Sequence, residues 1–232
     1  MSAIGPQPMA PRPRLVLLLG GSAGFLDAVG YLTFGIFTAN MTGNTVLLGI
    51  AIGQGRWQAL LRVLLAIAAF VVGAAAGALL LRERHRMGGV LALEAAALLA
   101  GLAVWWRVSP EAARALPIVA LLSAAMGAQS AAVRQVGEQR ISTTYVTGTL
   151  TSLAVDTMSE ILTRRMPRPR PQTDPAASMR RSLPLLTGIW ATYVAGAVIG
   201  GLSQQRWGFW SIVLPVTVLA GAAVWDLSRA RS

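Results

Sequence analysis

The amino-acid sequence predicts an all-α integral membrane protein of about six transmembrane helices, built as two pseudo-symmetric, inverted halves. Three observations carry that expectation. Charged residues make up only 12% of the 232 positions while hydrophobic residues make up 54%, with a mean hydropathy of +0.58; a soluble domain carries about a quarter charged residues. The apolar residues fall in long blocks, not in the rhythm of a half-buried helix, and about 20 apolar residues cross a bilayer core as a helix. Finally, a polar segment built around a Thr-Gly step occurs twice, at Thr42-Gly43 and Thr147-Gly148, 105 residues apart and so close to half the chain.

Residues 1–14, with four prolines and two arginines, read as a disordered cytoplasmic tail. The run from Leu15 to Phe34 is too long for a signal-peptide core, contains Asp27, and leads to no small-residue cleavage site. It is therefore expected to stay as the first span of a single transmembrane domain over 15–228. Six blocks are long enough to cross, near 15–35, 59–81, 88–106, 115–133, 183–204 and 209–227. Each must be a helix, because an isolated strand cannot satisfy its backbone in lipid. Gly73 and Gly77, like Gly196 and Gly200, lie four apart on one helix face. That spacing permits close helix approach, either within the subunit or across a homodimer interface.

Two polar stretches, 36–52 and 141–162, carry Asn, Thr, Ser and acids that are costly against lipid. Each follows a spanning block, which divides the chain into a first repeat over 15–106 and a second over 115–227. Three crossings per half invert the second copy, and four leave it parallel. With six spans and the N-terminus inside, 13 arginines lie inside and 5 outside, with Arg134 and Arg140 between. Eight spans give similar totals but turn the loop Arg82-Glu83-Arg84-His85-Arg86 outward, against the positive-inside rule. Six spans with both termini cytoplasmic follow, with a basic cytoplasmic loop at 164–182. Both Thr-Gly stretches are then re-entrant or broken helices, tolerated only where protein or a water-filled cavity surrounds them.

The candidate substrate- or ion-binding residues come from these interruptions. A carboxylate such as Asp27 costs about 2.5–3.5 kcal/mol at the centre of a span, so it should face the interior. It is either a proton or cation site, or a structural partner for an arginine or for freed backbone amides. Arg134, one turn beyond the equivalent position near Gln129-Ser130, is the arginine that the repeat offers. Asn40, Thr42, Gly43 and Asn44 combine short polar side chains with a flexible backbone position, and the second copy offers Thr144, Tyr145, Thr147, Gly148 and Thr149. The ends of a broken helix suit anions and cations; alternatively these side chains merely satisfy the interrupted backbone. Asp156 pairs with Glu160 one turn on, as an ion site or as partners for Arg164 and Arg165. Glu94, inside the third span, is a possible partner of Arg82 or Arg86 by snorkelling.

Several classes are excluded. The net charge of +11, from 20 arginines and no lysine, sits in the gaps between apolar blocks and not on a soluble basic face, which argues against nucleic acid. Without cysteine there are no disulfides, Fe–S clusters or thiolate zinc sites. The single histidine, His85, leaves no Ser-His-acid set, and no phosphate loop or dinucleotide fingerprint occurs. No enzymatic activity, metal or cofactor is expected. Trp105, Trp106, Trp207 and Trp210 sit at the ends of blocks, as interfacial anchors do.

The segment GFLDAVGYLTFGIFTANMTGNTVLLGIAI, together with the later TTYVTGTLTSL, resembles the YoaK-like family of bacterial membrane proteins, a domain family of unknown function. The match covers nearly the whole chain. It implies about six transmembrane helices in the bacterial plasma (inner) membrane, and it supplies no substrate. The expectation is a small-solute secondary transporter or permease, with protons as coupling ion. A small-solute channel and a non-transporting scaffold or partner-binding subunit are the alternatives.

Overall fold

The computed structural model describes residues 13–84, 87–107, 115–136, 154, 157, 158, 161 and 175–229. Its elements are α1 (Pro13–Phe34), α2 (Met41–Gly53), α3 (Trp57–Arg84), α4 (Met87–Arg107), α5 (Leu116–Val136), α6 (Pro175–Trp207), a 3-10 turn over Gly208–Ile212, and α7 (Val213–Arg229). No strand occurs among the described residues. Among the described residues five stretches are long and apolar enough to cross a membrane; the last, Pro184–Asp226, spans 43 residues and is divided between α6 and α7 by the 3-10 turn. The protein is a multi-pass, all-α membrane protein. Of the expected tail at 1–14, residues 1–12 lie outside the described residues and Pro13 and Arg14 already belong to α1; of the second polar stretch only 154, 157, 158 and 161 are described, and they are helical. Within the expected basic loop at 164–182 the backbone is already helical from Pro175.

Helix directions follow from which residues meet. Phe34 at the end of α1, Trp105 near the end of α4 and Phe209 after α6 form one aromatic cluster, with ring centroids 4.7–6.3 Å apart. At the other end of α4, the Gly88 amide donates to the Asp226 carboxylate of α7 at 2.8 Å. So α4 and α7 run antiparallel, and α1, α4 and α6 all end on the aromatic side. α3 and α5 run the other way.

Two helix pairs hold the bundle together, α1 with α6 and α3 with α5. Both are parallel and both close through glycine. A Cβ on Gly196 would sit 2.0 Å from the Gly21 carbonyl oxygen, and one on Gly24 equally close to the Tyr193 carbonyl oxygen. In the second pair, a Cβ on Gly73 would lie 1.9 Å from the Ala124 carbonyl oxygen and one on Gly127 2.0 Å from that of Phe70. Between helices in lipid there is no hydrophobic drive, so association rests on this close backbone contact. The cores of α1 and α5 are the most enclosed and α3 the least. Leu61, Leu64, Val71, Val72 and Leu79 of α3 are exposed apolar side chains of the kind that face lipid tails.

The α1–α6 contact is directly testable. Gly196→Ala should lower stability in detergent by about 1–3 kcal/mol, the usual cost of overpacking. Gly201→Ala, five residues on with nothing within 4 Å of its Cβ position, should not. Thermal unfolding of the two variants side by side decides the matter; equal midpoints would show that the contact is not close.

Candidate functional site

After Phe34 the chain leaves the helix for six residues. Gly35 ends α1 in the left-handed region, with φ +70 and its N–H on the Tyr31 carbonyl at 2.9 Å. Residues 36–40 then turn back alongside α1 towards Asp27, two turns below the helix end. Gly30 leaves room for this return: a Cβ there would lie 2.8 Å from Thr38 Cγ2. From Asn40 the chain re-enters a helix, α2, whose 13 residues are about 20 Å long and so shorter than the hydrocarbon core of about 30 Å.

Asp27, only 2% exposed, organises the returning segment. Its Oδ1 accepts from the Ala39 N–H at 2.6 Å, the Thr38 hydroxyl at 3.2 Å and, more weakly, the Asn40 N–H at 3.4 Å. Its Oδ2 accepts from the Tyr193 hydroxyl of α6 at 2.5 Å. Asn44, fully buried, clamps the same segment: its Oδ1 accepts from the Phe37 N–H at 2.9 Å and its Nδ2 donates to the Phe37 carbonyl at 2.7 Å. Asn40 caps α2 by accepting from the Gly43 N–H at 3.0 Å. Gly43 admits the Phe37 ring, whose edge lies 2.8 Å from its Cβ position.

Of the residues expected from sequence, Asp27, Asn40, Gly43 and Asn44 therefore meet in one knot. Thr42 does not; it is exposed on the outer side of α2. Arg134 is also exposed, near the end of α5, and the carboxylate of Asp27 is satisfied by Tyr193 and residues 38–40 instead. Asp27 thus has the amide partners anticipated for a broken segment, not the arginine. Thr144, Tyr145, Thr147, Gly148, Thr149 and Asp156 lie outside the described residues. Tyr193 and Thr38 were missed. The signal for Tyr193 was its place in YVAGAVIGGL, one turn before Gly196, where a polar aromatic stands in an otherwise apolar run.

Glu94 is the other buried carboxylate of interest. It is 0% exposed and neither oxygen has a hydrogen-bond partner. The Arg82 side chain and Arg86, its expected partners, lie outside what is described. No group of three or more His, Cys, Asp or Glu that could hold a metal occurs among the described residues.

The family described as a protein of unknown function (DUF1275) matches residues 15–225. The UPF0700 transmembrane protein YoaK of Bacillus subtilis (strain 168) is 31% identical over 221 residues, covering 91% of this chain and 92% of that protein. No solved structure matches the chain.

The knot separates neighbouring residues of one motif. Asn44→Ala strips the Phe37 N–H and C=O of their partner, at about 1–3 kcal/mol for each buried group left unpaired. It should lower the unfolding midpoint clearly, whereas Thr42→Ala should leave it within error. A thermal-unfolding comparison in which both variants behave alike would refute this arrangement.

Proposed function

This chain belongs to the DUF1275 family, and from that premise we propose that it is a proton-coupled small-solute transporter of the bacterial inner membrane, with six spans in two inverted halves. The observation that carries the reading is the knot at Asp27, which holds non-helical backbone at membrane depth and is tied by Tyr193 to a helix of the opposite half. Interrupted segments at the interface of two inverted repeats are a recurring way to build a midplane site with alternating access.

The glycine contacts support the repeat. Gly21, Gly24 and Phe25 of α1 precede Ala124, Gly127 and Ala128 of α5 by 103 residues. Their partners Phe70, Gly73 and Gly77 of α3 precede Tyr193, Gly196 and Gly200 of α6 by 123 residues. Exchanging α1 with α5 and α3 with α6 therefore maps one contact onto the other, and α4 with α7 is the antiparallel pair that an in-plane twofold requires. In this reading α2 enters and leaves on the aromatic side, which faces outward. The arginine-rich stretches 82–86 and 164–181 face the cytoplasm, as the positive-inside rule prefers.

The repeat is broken where chemistry is at stake. Under the same exchange Asp27 becomes Ser130 and Tyr193 becomes Phe70, so only one of the two contacts carries a carboxylate. Alternation between inward- and outward-facing forms would break and remake the Asp27–Tyr193 bond. A scaffold is the second reading, favoured by how completely the donors around Asp27 are used.

Two measurements test the proposal. In proteoliposomes with an entrapped pH-sensitive dye, solute-dependent proton entry should be lost in Asp27→Asn while the protein stays monodisperse; unchanged entry would sink the carrier mechanism. Because the chain has no cysteine, a Gln54→Cys variant in cells should react with an impermeant maleimide from outside, and labelling only from the cytoplasm would overturn six spans.

A further inference from the structure

Glu94 lies in the interior of α4, and both its carboxylate oxygens are buried without a donor. Nothing in the knot at Asp27 reaches it. Its neighbourhood follows from helix register. Gly101 of α4 packs on the Ile118 and Leu122 side chains of the antiparallel α5. Two turns back along α4 from Gly101 is Glu94; two turns forward along α5 from Leu122 is Gln129. The two residues thus stand at one level of adjoining helices, 0% and 1% exposed.

Gln129 is itself half satisfied. Its Nε2 donates to the Leu19 carbonyl of α1 at 3.1 Å, which fixes the amide orientation. Its Oε1 is then buried with no donor. Three acceptor oxygens, two from Glu94 and one from Gln129, therefore share a buried level of the core, with no hydrogen-bond donor from the protein to any of them. An unpaired buried acceptor costs about 1–3 kcal/mol, and a bare buried charge far more. Whatever occupies this level must bring a donor or a positive charge.

Among the described side chains no fixed cation is placed to do so, those of Arg82, Arg84 and Arg86 lying outside what is described. On the elements packed against α4, Arg134 of α5 is exposed and lies five residues past Gln129, about 7.5 Å along the axis. Asp226 of α7 is bonded to Gly88, six residues or about 9 Å from the level of Glu94. Arg62 belongs to the opposite end of α3, and Arg107 stands thirteen residues away at the end of α4. The 3-10 turn carries no charge. A hard metal ion such as calcium takes 6–8 oxygens, twice what the pair offers. One proton suffices.

We propose that Glu94 and Gln129 form a proton-binding site in the helical core, Glu94 holding the proton and donating its O–H to Gln129 Oε1. A single proton neutralises the carboxyl group and satisfies the orphaned amide oxygen at once. The site also divides labour with Asp27. The oxygens of Asp27 are occupied by donors, whereas those of Glu94 have none, so in a proton-coupled carrier Glu94 holds the coupled proton while the Asp27–Tyr193 contact alternates. That last role rests on the transport reading; the bound proton does not.

Infrared spectroscopy of the purified full-length chain tests the site without any transport assay. The wild type at neutral pH should show the carbonyl stretch of a protonated carboxylic acid, and Glu94→Gln should lose that component. Glu94→Gln is the neutral isostere, so size-exclusion profile and unfolding midpoint should match the wild type. Gln129→Leu, which removes the acceptor, should shift the component to higher frequency without abolishing it. A spectrum with carboxylate bands only, a component that persists in Glu94→Gln, or one unmoved in Gln129→Leu would overturn the proposal. So would stabilisation by sodium over potassium that depends on Glu94, since the occupant would then be a metal ion. If the infrared result holds but Glu94→Gln proteoliposomes keep proton-coupled uptake, the coupling role fails and the proton site stands.

Discussion

Backbone that leaves the helix inside a packed bundle has little water to turn to, and every N–H and C=O it frees must find a partner inside the protein. Residues 35–40 are such a segment, and the order around α1, α2 and α6 follows from how they are satisfied. Asp27 takes the Ala39 and Asn40 amides, Asn44 takes both polar groups of Phe37, and Asn40 takes the Gly43 amide in the first turn of α2. A carboxylate does this well because it only accepts, and charge-assisted bonds are the stronger ones. Its position follows from the geometry: it must stand about two turns below the end of α1, where the returning chain passes, with Gly30 clearing the way. The Tyr193 hydroxyl then joins the knot to α6.

The second constraint is the lack of any hydrophobic drive between helices in lipid. Gly21, Gly24, Gly196 and Gly200 bring two backbones together, and Gly73, Gly77 and Gly127 do the same for α3 and α5. The two contacts are built alike, yet only one is crossed by a polar pair. Closely packed parallel helices transmit small displacements well, since an interior at crystal-like density cannot deform continuously. A hydrogen bond laid across such a contact is thus placed where a change at one element is felt by the other.

Asp27 and Glu94 make an instructive pair. Both are carboxylates buried in spanning helices, and residue type alone does not separate them. Asp27 is ringed by donors from the returning segment 38–40 and from α6, and Glu94 by none. A carboxylate with its donors supplied holds a fold together. One without them is left to meet its partner from outside the side-chain inventory. The distinction between anchor and ion site lies in the environment and not in the residue type.

The sequence by itself determined the class, the helices and most of the knot's members. Long apolar blocks admit only helices in lipid, the Gly-x-x-x-Gly spacing announces close packing, and Asp27, Asn40, Gly43 and Asn44 stand out as polar residues amid apolar runs. These are local properties, fixed by composition and by period. What only the tertiary structure decided was partnership. Tyr193 lies 166 residues from Asp27, and a pairing at that range depends on helix register that no local pattern encodes. For the same reason Arg134, reasonable from the repeat alone, is not the partner of Asp27. Thr42, at the heart of the motif, faces outward because α2 turns its Asn44 side to the knot, and a helix can bury only one stripe. The emptiness around Glu94 was likewise out of reach of the sequence, since the absence of a donor is a property of every neighbour at once.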